Sequence, residues 1–139
     1  MRVVFDTNVL AAALRSNRGA SFALISMLPS PKFELAVSIP LYLEYVDVLL
    51  RPDIKPSGVS DVDALGFVRK ILSYSHKQSI YFRWRPWLKD PNDDMILELA
   101  IASQSVFIVT FNLKDFQNVE LFGIEAISPL DFLEIVRNL

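Results

Sequence analysis

The chain has 139 residues, no cysteine, a formal net charge of −2 and a hydrophobic share of 52%, which suits one domain with a substantial core. The missing cysteine excludes thiol catalysis, disulfides and cysteine–zinc sites, and the near-neutral charge means that a nucleic-acid footprint would have to be local. No uncharged apolar run is long enough to span a bilayer, and the chain enters its first strand at once, so we expect a cytoplasmic protein without a signal peptide.

Short apolar runs alternate with helical patterns along the whole chain. Strands are predicted at 3–5, 33–38, 79–82, 106–109 and 123–127. Helices are predicted at 10–14, 20–28, 41–50, 93–104 and 128–138, with a further, fourth helix that begins after Ser60 and includes His76. This alternation predicts an α/β fold, a parallel sheet with helices on both faces, and one domain over residues 1–139.

The fourth predicted helix has a clear beginning and a clear apolar stripe. Ser60 and Asp63 resemble a capping box. The apolar positions recur at helical spacing; they are Val62, Leu65, Val68, Ile71 and Leu72. His76, inside the same helix, is expected to be a surface or packing residue.

Polar residues recur where the predicted strands end. They are Asp6, Thr7 and Asn8 after the first strand, Glu44 one turn into the third helix, Asp93 and Asp94 at the start of the fifth helix, and Thr110, Asn112 and Asp115 after the fourth strand. Ligands in open α/β folds bind at the carboxyl ends of the strands. We therefore expect these side chains to form one site.

Each of these residues also has a structural interpretation. Asp6 or Asn8 could cap the helix that follows, and one of Asp93 and Asp94 could serve only as a favourable charge at a helix start. Asp115 could cap a turn. Their placement at the same edge of one sheet favours a shared site over separate structural roles.

Converging carboxylates repel one another and stay ionised only with a cation between them. Glu44 is an awkward carboxylate for a strongly apolar helix unless it has such a role. Oxygen ligands alone suit a hard ion such as Mg²⁺ or Mn²⁺. An ion of this kind activates water for attack on a phosphodiester.

Four short motifs, in order, resemble those of the PIN-domain family, the small nuclease fold of many bacterial and archaeal toxins. VVFDTNVL is similar to the family's first motif, SIPLYLEYVDVLLRP to the second with its glutamate at Glu44, and DPNDDMILELA to the third with its aspartate at Asp93. IVTFNLKDF resembles the fourth, although Asn112 there carries no charge, so Asp115 could supply the fourth carboxylate. The closing SPLDFLEIV fits the branch of virulence-associated protein C-like ribonucleases.

The resemblance implies a three-layer α/β/α sandwich with a five-stranded parallel sheet in the order 3-2-1-4-5. It also implies a Mg²⁺- or Mn²⁺-dependent endoribonuclease that cleaves single-stranded RNA, a small antitoxin as partner, and a homodimer. Asp6, Glu44 and Asp93 would hold the metal ion, and Asp115 or Asn112 would complete the set. The expected supporting residues are Thr7, Asn8, Asp94 and Thr110.

Basic residues interleave with aromatic ones in the loops near the expected site. The RNA-binding candidates are Arg15, Arg18, Arg83, Arg85, Lys89 and Lys114. Trp84 and Trp87 could stack on bases, or they could pack under the loop and leave the arginines in solvent.

Three other classes of protein remain open from the sequence. A haloacid-dehalogenase-type phosphatase would need a second aspartate at the position of Asn8, and a response-regulator receiver would need an acidic pair where only Asp6 is present. A PIN-like module that only binds RNA or protein is favoured by Asn112 and disfavoured by the presence of Asp6, Glu44 and Asp93 together.

Overall fold

The computed structural model of the chain describes residues 1–80 and 87–139. It contains five strands, β1 (Arg2–Phe5), β2 (Glu34–Val37), β3 (His76–Lys77), β4 (Phe107–Val109) and β5 (Glu125–Ile127). Six α-helices accompany them, α1 (Thr7–Arg15), α2 (Ala20–Ser26), α3 (Ile39–Leu49), α4 (Asp61–Ser73), α5 (Pro91–Ala102) and α6 (Pro129–Arg137). Two short 3₁₀ helices, Leu113–Phe116 and Val119–Phe122, connect β4 to β5.

The five strands form one parallel sheet in the order β3-β2-β1-β4-β5, as predicted. From β1 the chain passes to β2 and then to β3 in one direction across the sheet. It then returns past β2 and β1 to β4. Right-handed crossovers therefore put α1–α4 on one face of the sheet and α5 on the other. Helix α6 packs beside α2, and α5 packs on β1, β2 and β4. The result is the expected three-layer sandwich.

The core lies along β1, whose Val3, Val4 and Phe5 are fully buried. Phe5 stacks on Phe33 with the ring centroids 6.2 Å apart, and the ring of Phe132 from α6 meets Phe33 edge-on at 5.3 Å. A central strand buried on both faces must be apolar throughout. The first polar residue after it, Asp6, is thereby fixed at the carboxyl edge of the sheet.

The third strand is not where the sequence pattern places it. The apolar run at 79–82 predicts the strand, but β3 is His76–Lys77, paired in parallel with Ala36 and Val37. Tyr81 and Phe82 lie outside the described residues. His76 is accordingly not part of α4, which ends at Ser73; it is half-buried, with its Nε2 atom 3.0 Å from Gln78 Oε1. Backbone pairing with β2, not an apolar pattern, defines this edge strand.

The predicted stripe on α4 is confirmed for Val68 and Ile71, which are buried, and for Leu65 and Leu72, which are partly buried, but not for Val62. Ser60 caps the helix as predicted, accepting a hydrogen bond from Asp63 N–H at 3.0 Å. Val62 is 77% exposed, whereas Ala64, Val68 and Ile71 are buried. Val62 lies in the first turn, on the solvent side of the helix.

Among the described residues, no helix is long and apolar enough to cross a membrane.

Candidate active site

Asp6 stands between the ends of the two central strands. Its N–H donates to Val109 O at 2.9 Å. Its carboxylate accepts hydrogen bonds from Thr7 N–H at 2.8 Å, from the Thr110 hydroxyl at 2.8 Å and from the Asn8 amide at 3.3 Å. Asp6 is therefore both the N-cap of α1 and a buried carboxylate at the point where the strand order reverses, the usual ligand position of such sheets.

Thr110 and Asn8 tie the segment after β4 to Asp6. The Thr110 hydroxyl, fully buried, also accepts from Asn112 N–H at 3.0 Å. Asn8 Oδ1 accepts from Phe111 N–H at 3.4 Å. Two of the side chains expected to support the site, Thr110 and Asn8, thus orient Asp6 through its Oδ2 atom.

Glu44 reaches the same edge from α3. Its Oε2 atom accepts a hydrogen bond from the Thr7 hydroxyl at 2.6 Å. The next residue, Tyr45, is fully buried, and its hydroxyl donates to Phe5 O at 2.5 Å. This bond fixes α3 against the end of β1 and so places Glu44. Tyr45 was not predicted to matter, because an aromatic residue on an apolar helix is indistinguishable from ordinary core.

Asp93 lies in the first turn of α5, close enough to the other acids to be influenced by all of them. Burial comes first among the causes that raise its pKa from 3.8 to about 7, followed by the charges of Asp6, Asp90, Asp115 and Glu44. Burial and nearby like charges both disfavour the charged form of a carboxyl group. Asp93 therefore lies close to the other acids, at the position that the third motif implies.

The pKa values of Asp6 and Glu44 are raised as well. Burial is the main cause for both, opposed by hydrogen bonds from Thr110 and Thr7 to Asp6 and from Thr7 to Glu44. Asp90 adds repulsion in each case. Burial and the charges of Asp6 and Glu44 also raise the pKa of the Tyr45 phenol well above its usual range.

Asp90 was missed by the sequence analysis. It is the N-cap of α5, with its carboxylate accepting from Asn92 N–H at 2.9 Å. It follows a polar loop and precedes Pro91, so the only signal was an acid before a proline at a helix start. Its charge contributes to the pKa shifts of Asp6, Glu44 and Asp93. Asp90 is therefore a fifth acid at this edge.

Asp94 is oriented away from its expected supporting position. Its Oδ1 atom accepts from the N–H groups of Trp87 and Leu88, at 3.1 and 2.8 Å. This carboxylate organises the segment that leads into α5. The structural interpretation of an acid at a helix start therefore holds for Asp94 and not for Asp93.

Asp115 and Asn112 differ in their relation to the other acids. Asp115 lies in the first 3₁₀ helix, and its charge raises the pKa values of Asp6 and Asp93. The side chain of Asn112 is exposed, and its N–H group bonds to Thr110. Of the two, Asp115 is the one whose charge acts on the other carboxylates.

The donor set fits a hard divalent ion by its chemistry. It consists of carboxylate groups that accept hydrogen bonds from hydroxyl and amide groups. Burial and mutual repulsion disfavour the charged forms of these carboxylates, and their oxygen atoms are the ligands that such an ion prefers. Within residues 1–80 and 87–139, no three acidic or imidazole side chains already form a closed ion-binding cluster.

The basic residues divide into two groups. Lys89 and Lys114 are exposed beside the acidic edge, before α5 and after β4. Arg15 ends α1, roughly 13 Å from the residue that begins it, and its Nε donates to Ile54 O at 3.2 Å; Arg18 follows it. Arg83, Arg85 and Trp84 lie outside the described residues. The ring of Trp87 packs edge-on against Phe122 at 5.2 Å and remains 48% exposed.

Comparison with known proteins agrees with this fold. A family model described as "PIN domain" matches residues 2–114. The chain belongs to the PIN-domain family. This excludes the phosphatase and receiver alternatives.

A solved structure, VapBC2 from Rickettsia felis bound to a DNA fragment from their promoter, contains a chain of similar fold. The match has a TM-score of 0.64 and 15% sequence identity, and it covers 92% of this chain and 98% of that chain. At this identity the likeness concerns the fold. Among curated proteins, none matches the sequence significantly.

Proposed function

We propose that this protein is a metal-dependent endoribonuclease that cleaves single-stranded RNA with Mg²⁺ or Mn²⁺. The observation that carries the proposal is that the pKa values of Asp6, Glu44 and Asp93, at the carboxyl edge of the sheet, are raised by burial and by the charges of neighbouring acids, Asp90 and Asp115 among them. Uncompensated carboxylates at a ligand-binding edge are costly for the metal-free fold, and a divalent ion would relieve that cost.

The position of each acidic side chain determines its role in the proposed site. Asp6, Glu44 and Asp93 would hold the ion, and Asp115 would approach it from the 3₁₀ helix. When bound, the ion would supply an activated water and neutralise charge on the phosphate. Thr7 and Thr110 keep Glu44 and Asp6 oriented through their hydroxyl groups. Asp90 adds negative charge and so favours cation binding.

The direct test is cleavage of an end-labelled, mixed-sequence single-stranded RNA with Mn²⁺, with Mg²⁺ and with chelator. Asp6→Asn should abolish metal-dependent cleavage, while Asp53→Asn, the same change at an exposed loop position, should leave it intact. Equal cleavage by the parent and Asp6→Asn would refute the assignment.

We further propose that the protein is the toxin of a toxin–antitoxin pair, acts in the cytoplasm, forms a homodimer and is inhibited by a small antitoxin. The support is the family, the motifs of the virulence-associated protein C-like branch, and the fold shared with a VapBC2 chain. Induced expression should arrest growth, and Asp6→Asn should not. Growth unaffected by active, well-expressed enzyme would contradict the toxin assignment.

A binding module with a decayed site is the second candidate, supported by the uncharged, exposed Asn112. An intact site gains thermal stability on adding Mn²⁺, because the ion binds only the folded state. A decayed site gains none. RNA binding without cleavage or Mn²⁺ stabilisation would favour this second candidate.

A further inference from the structure

A cavity of about 910 Å³ opens on the other side of the first turn of α5 from the acidic edge. It lies beyond the carboxyl ends of β2 and β3, between the beginnings of α3 and α5. Its apolar lining includes Tyr42, Leu72, Ile80, Leu88 and Met95. Pockets in open α/β folds that bind ligands occur at this same edge of the sheet.

The first turn of α5 connects the cavity to the acids. Asn92 lines the cavity, while its N–H group donates to Asp90 Oδ1 at 2.9 Å. Asp94 also lines the cavity, next in sequence to Asp93 of the acidic edge. The two sites are therefore separated by about one helix diameter, roughly 10–12 Å. That span is short enough for neighbouring nucleotides of one strand.

Two of the charged side chains that line the cavity, those of Asp94 and Lys77, already form hydrogen bonds within the protein. Asp94 Oδ1 accepts from Trp87 and Leu88 N–H, and Lys77 Nζ donates to Leu72 O at 3.0 Å. Among the described residues, the cavity lining is therefore mainly apolar, and Tyr42 contributes its one aromatic ring. Asn92 and Lys89 are exposed on its border. A flat group with apolar faces and a polar edge matches this lining better than a phosphate does.

We propose that this cavity binds an unpaired nucleobase of the RNA strand, next to the phosphate held at the acidic edge. Tyr42 stacks on the base, the Asn92 amide hydrogen-bonds its edge, and Lys89 pairs with a neighbouring phosphate. The proposal rests on the RNA substrate proposed above, and it makes the cavity the source of base preference near the cut.

The probe is a short, mixed-sequence single-stranded RNA with a fluorescent end label, and a set of the same RNA with one abasic residue moved along it. Affinities are measured by fluorescence anisotropy in the Asp6→Asn background, so that the RNA stays intact. At one position, loss of the base should weaken binding roughly 5- to 150-fold. That position should adjoin the cut made by the parent in Mn²⁺.

Tyr42→Ala should weaken binding of the intact RNA by a similar factor. The RNA that lacks the base at the sensitive position should bind the Tyr42→Ala variant no more weakly than it binds the Asp6→Asn protein without that change. Such loss of additivity identifies direct contact. Asn92→Ala, an exposed change that should not disturb folding, should show smaller coupling at the same position. Tyr74→Ala, the same change as Tyr42→Ala at an exposed tyrosine after α4, should show none.

Coupling to Tyr42 at one position supports the base pocket even if the protein cleaves nothing. Metal-dependent cleavage without any coupled position overturns the pocket and leaves the nuclease assignment standing. Tyr42→Ala effects that are the same for every abasic RNA, or no RNA binding at all, also overturn it.

Discussion

Acidic residues in two regions of this molecule have different kinds of partner. On the outer surface, Glu34 pairs with Arg2 at 2.8 Å, Asp47 with Arg51 at 2.7 Å, and Asp61 with Lys55. At the carboxyl edge of the sheet, Asp6 and Glu44 receive hydroxyl and amide hydrogen bonds instead. No lysine or arginine of the described ranges is within ion-pair distance of these two or of Asp93.

The two kinds of partner have different consequences for stability and for ion binding. An exposed ion pair contributes little to stability, usually below about 1 kcal/mol, and needs nothing from outside the chain. At the carboxyl edge, burial and the charges of neighbouring acids raise the pKa values of Asp6, Glu44 and Asp93, despite the neutral donors that bond to Asp6 and Glu44. Such a set is costly without a cation and suited to binding one. The following predictions test this contrast, from the largest expected effect to the smallest.

Removing the hydroxyl that orients Asp6 should have the largest effect. Thr110→Val keeps the shape of a fully buried residue but deletes the donor to Asp6 Oδ2. Removing such an outer partner of a metal ligand costs roughly 10- to 100-fold, and we expect kcat/KM for RNA with Mn²⁺ to fall by that factor. Thr110→Ser, which keeps the hydroxyl, should recover most of the activity. A fully active Thr110→Val would show that the hydroxyl has no role.

Tyr45→Phe should weaken the attachment of α3 to β1. It leaves the buried Phe5 carbonyl without its phenol donor, which costs about 1–3 kcal/mol in the free energy of unfolding. Urea denaturation measures the change. Tyr74→Phe, at an exposed position, is the matched control. Equal stability of the Tyr45→Phe and Tyr74→Phe proteins would contradict the role given to this bond.

Asp93→Asn should stabilise the metal-free protein at high pH. Because the pKa of Asp93 is raised from 3.8 to about 7 on folding, the folded state holds a proton that the unfolded state has released between these values. That contribution to stability is complete below pH 3.8 and is lost as the pH rises through about 7. Asparagine stays neutral throughout and avoids the loss.

Thermal unfolding in chelator across this range provides the measurement. The melting temperature of Asp93→Asn should exceed that of the parent increasingly as the pH rises from 3.8 to about 7, and the difference should level off above that. Asp53→Asn controls for the loss of one exposed charge. A difference between Asp93→Asn and the parent that stays constant with pH would mean that the carboxyl group of Asp93 is not subject to the repulsion described.

The smallest effect concerns RNA binding by single surface cations. Lys114→Ala, beside the acidic edge, should make the dependence of RNA affinity on salt less steep by about 0.7 in the log–log slope. Arg18→Ala, beyond the far end of α1, should change that slope little. A larger change for Arg18→Ala would place the RNA path across α1 and α2 instead.

The sequence predicted the fold where one physical rule dominated. Continuous apolar strands, capped helices and strand order followed from burial and from the family motifs, and they put Asp6, Glu44 and Asp93 at one edge. The prediction failed for β3, because a two-residue edge strand is defined by its pairing with β2. The apolar run nearby carried no information about that pairing.

Two site residues could not have been found from the sequence pattern. Tyr45 acts through a hydroxyl bond to a carbonyl 40 positions earlier, and no local pattern distinguishes it from core. Asp90 and Asp94 lie in the same acidic stretch as Asp93, and only the start of α5 decides which of them faces the other acids. The helix was predicted to begin at Asp93, two residues after its observed beginning at Pro91, so the sequence placed these acids wrongly relative to the first turn.

The most direct test of the central claim is a calorimetric titration of Mn²⁺ into the metal-free parent, Asp6→Asn and Asp53→Asn. The acidic edge should bind Mn²⁺ saturably in the parent and in Asp53→Asn, and the binding heat should disappear in Asp6→Asn. Undiminished binding in Asp6→Asn, or no binding by well-folded parent, would contradict the claim that these unpaired acids form a metal site.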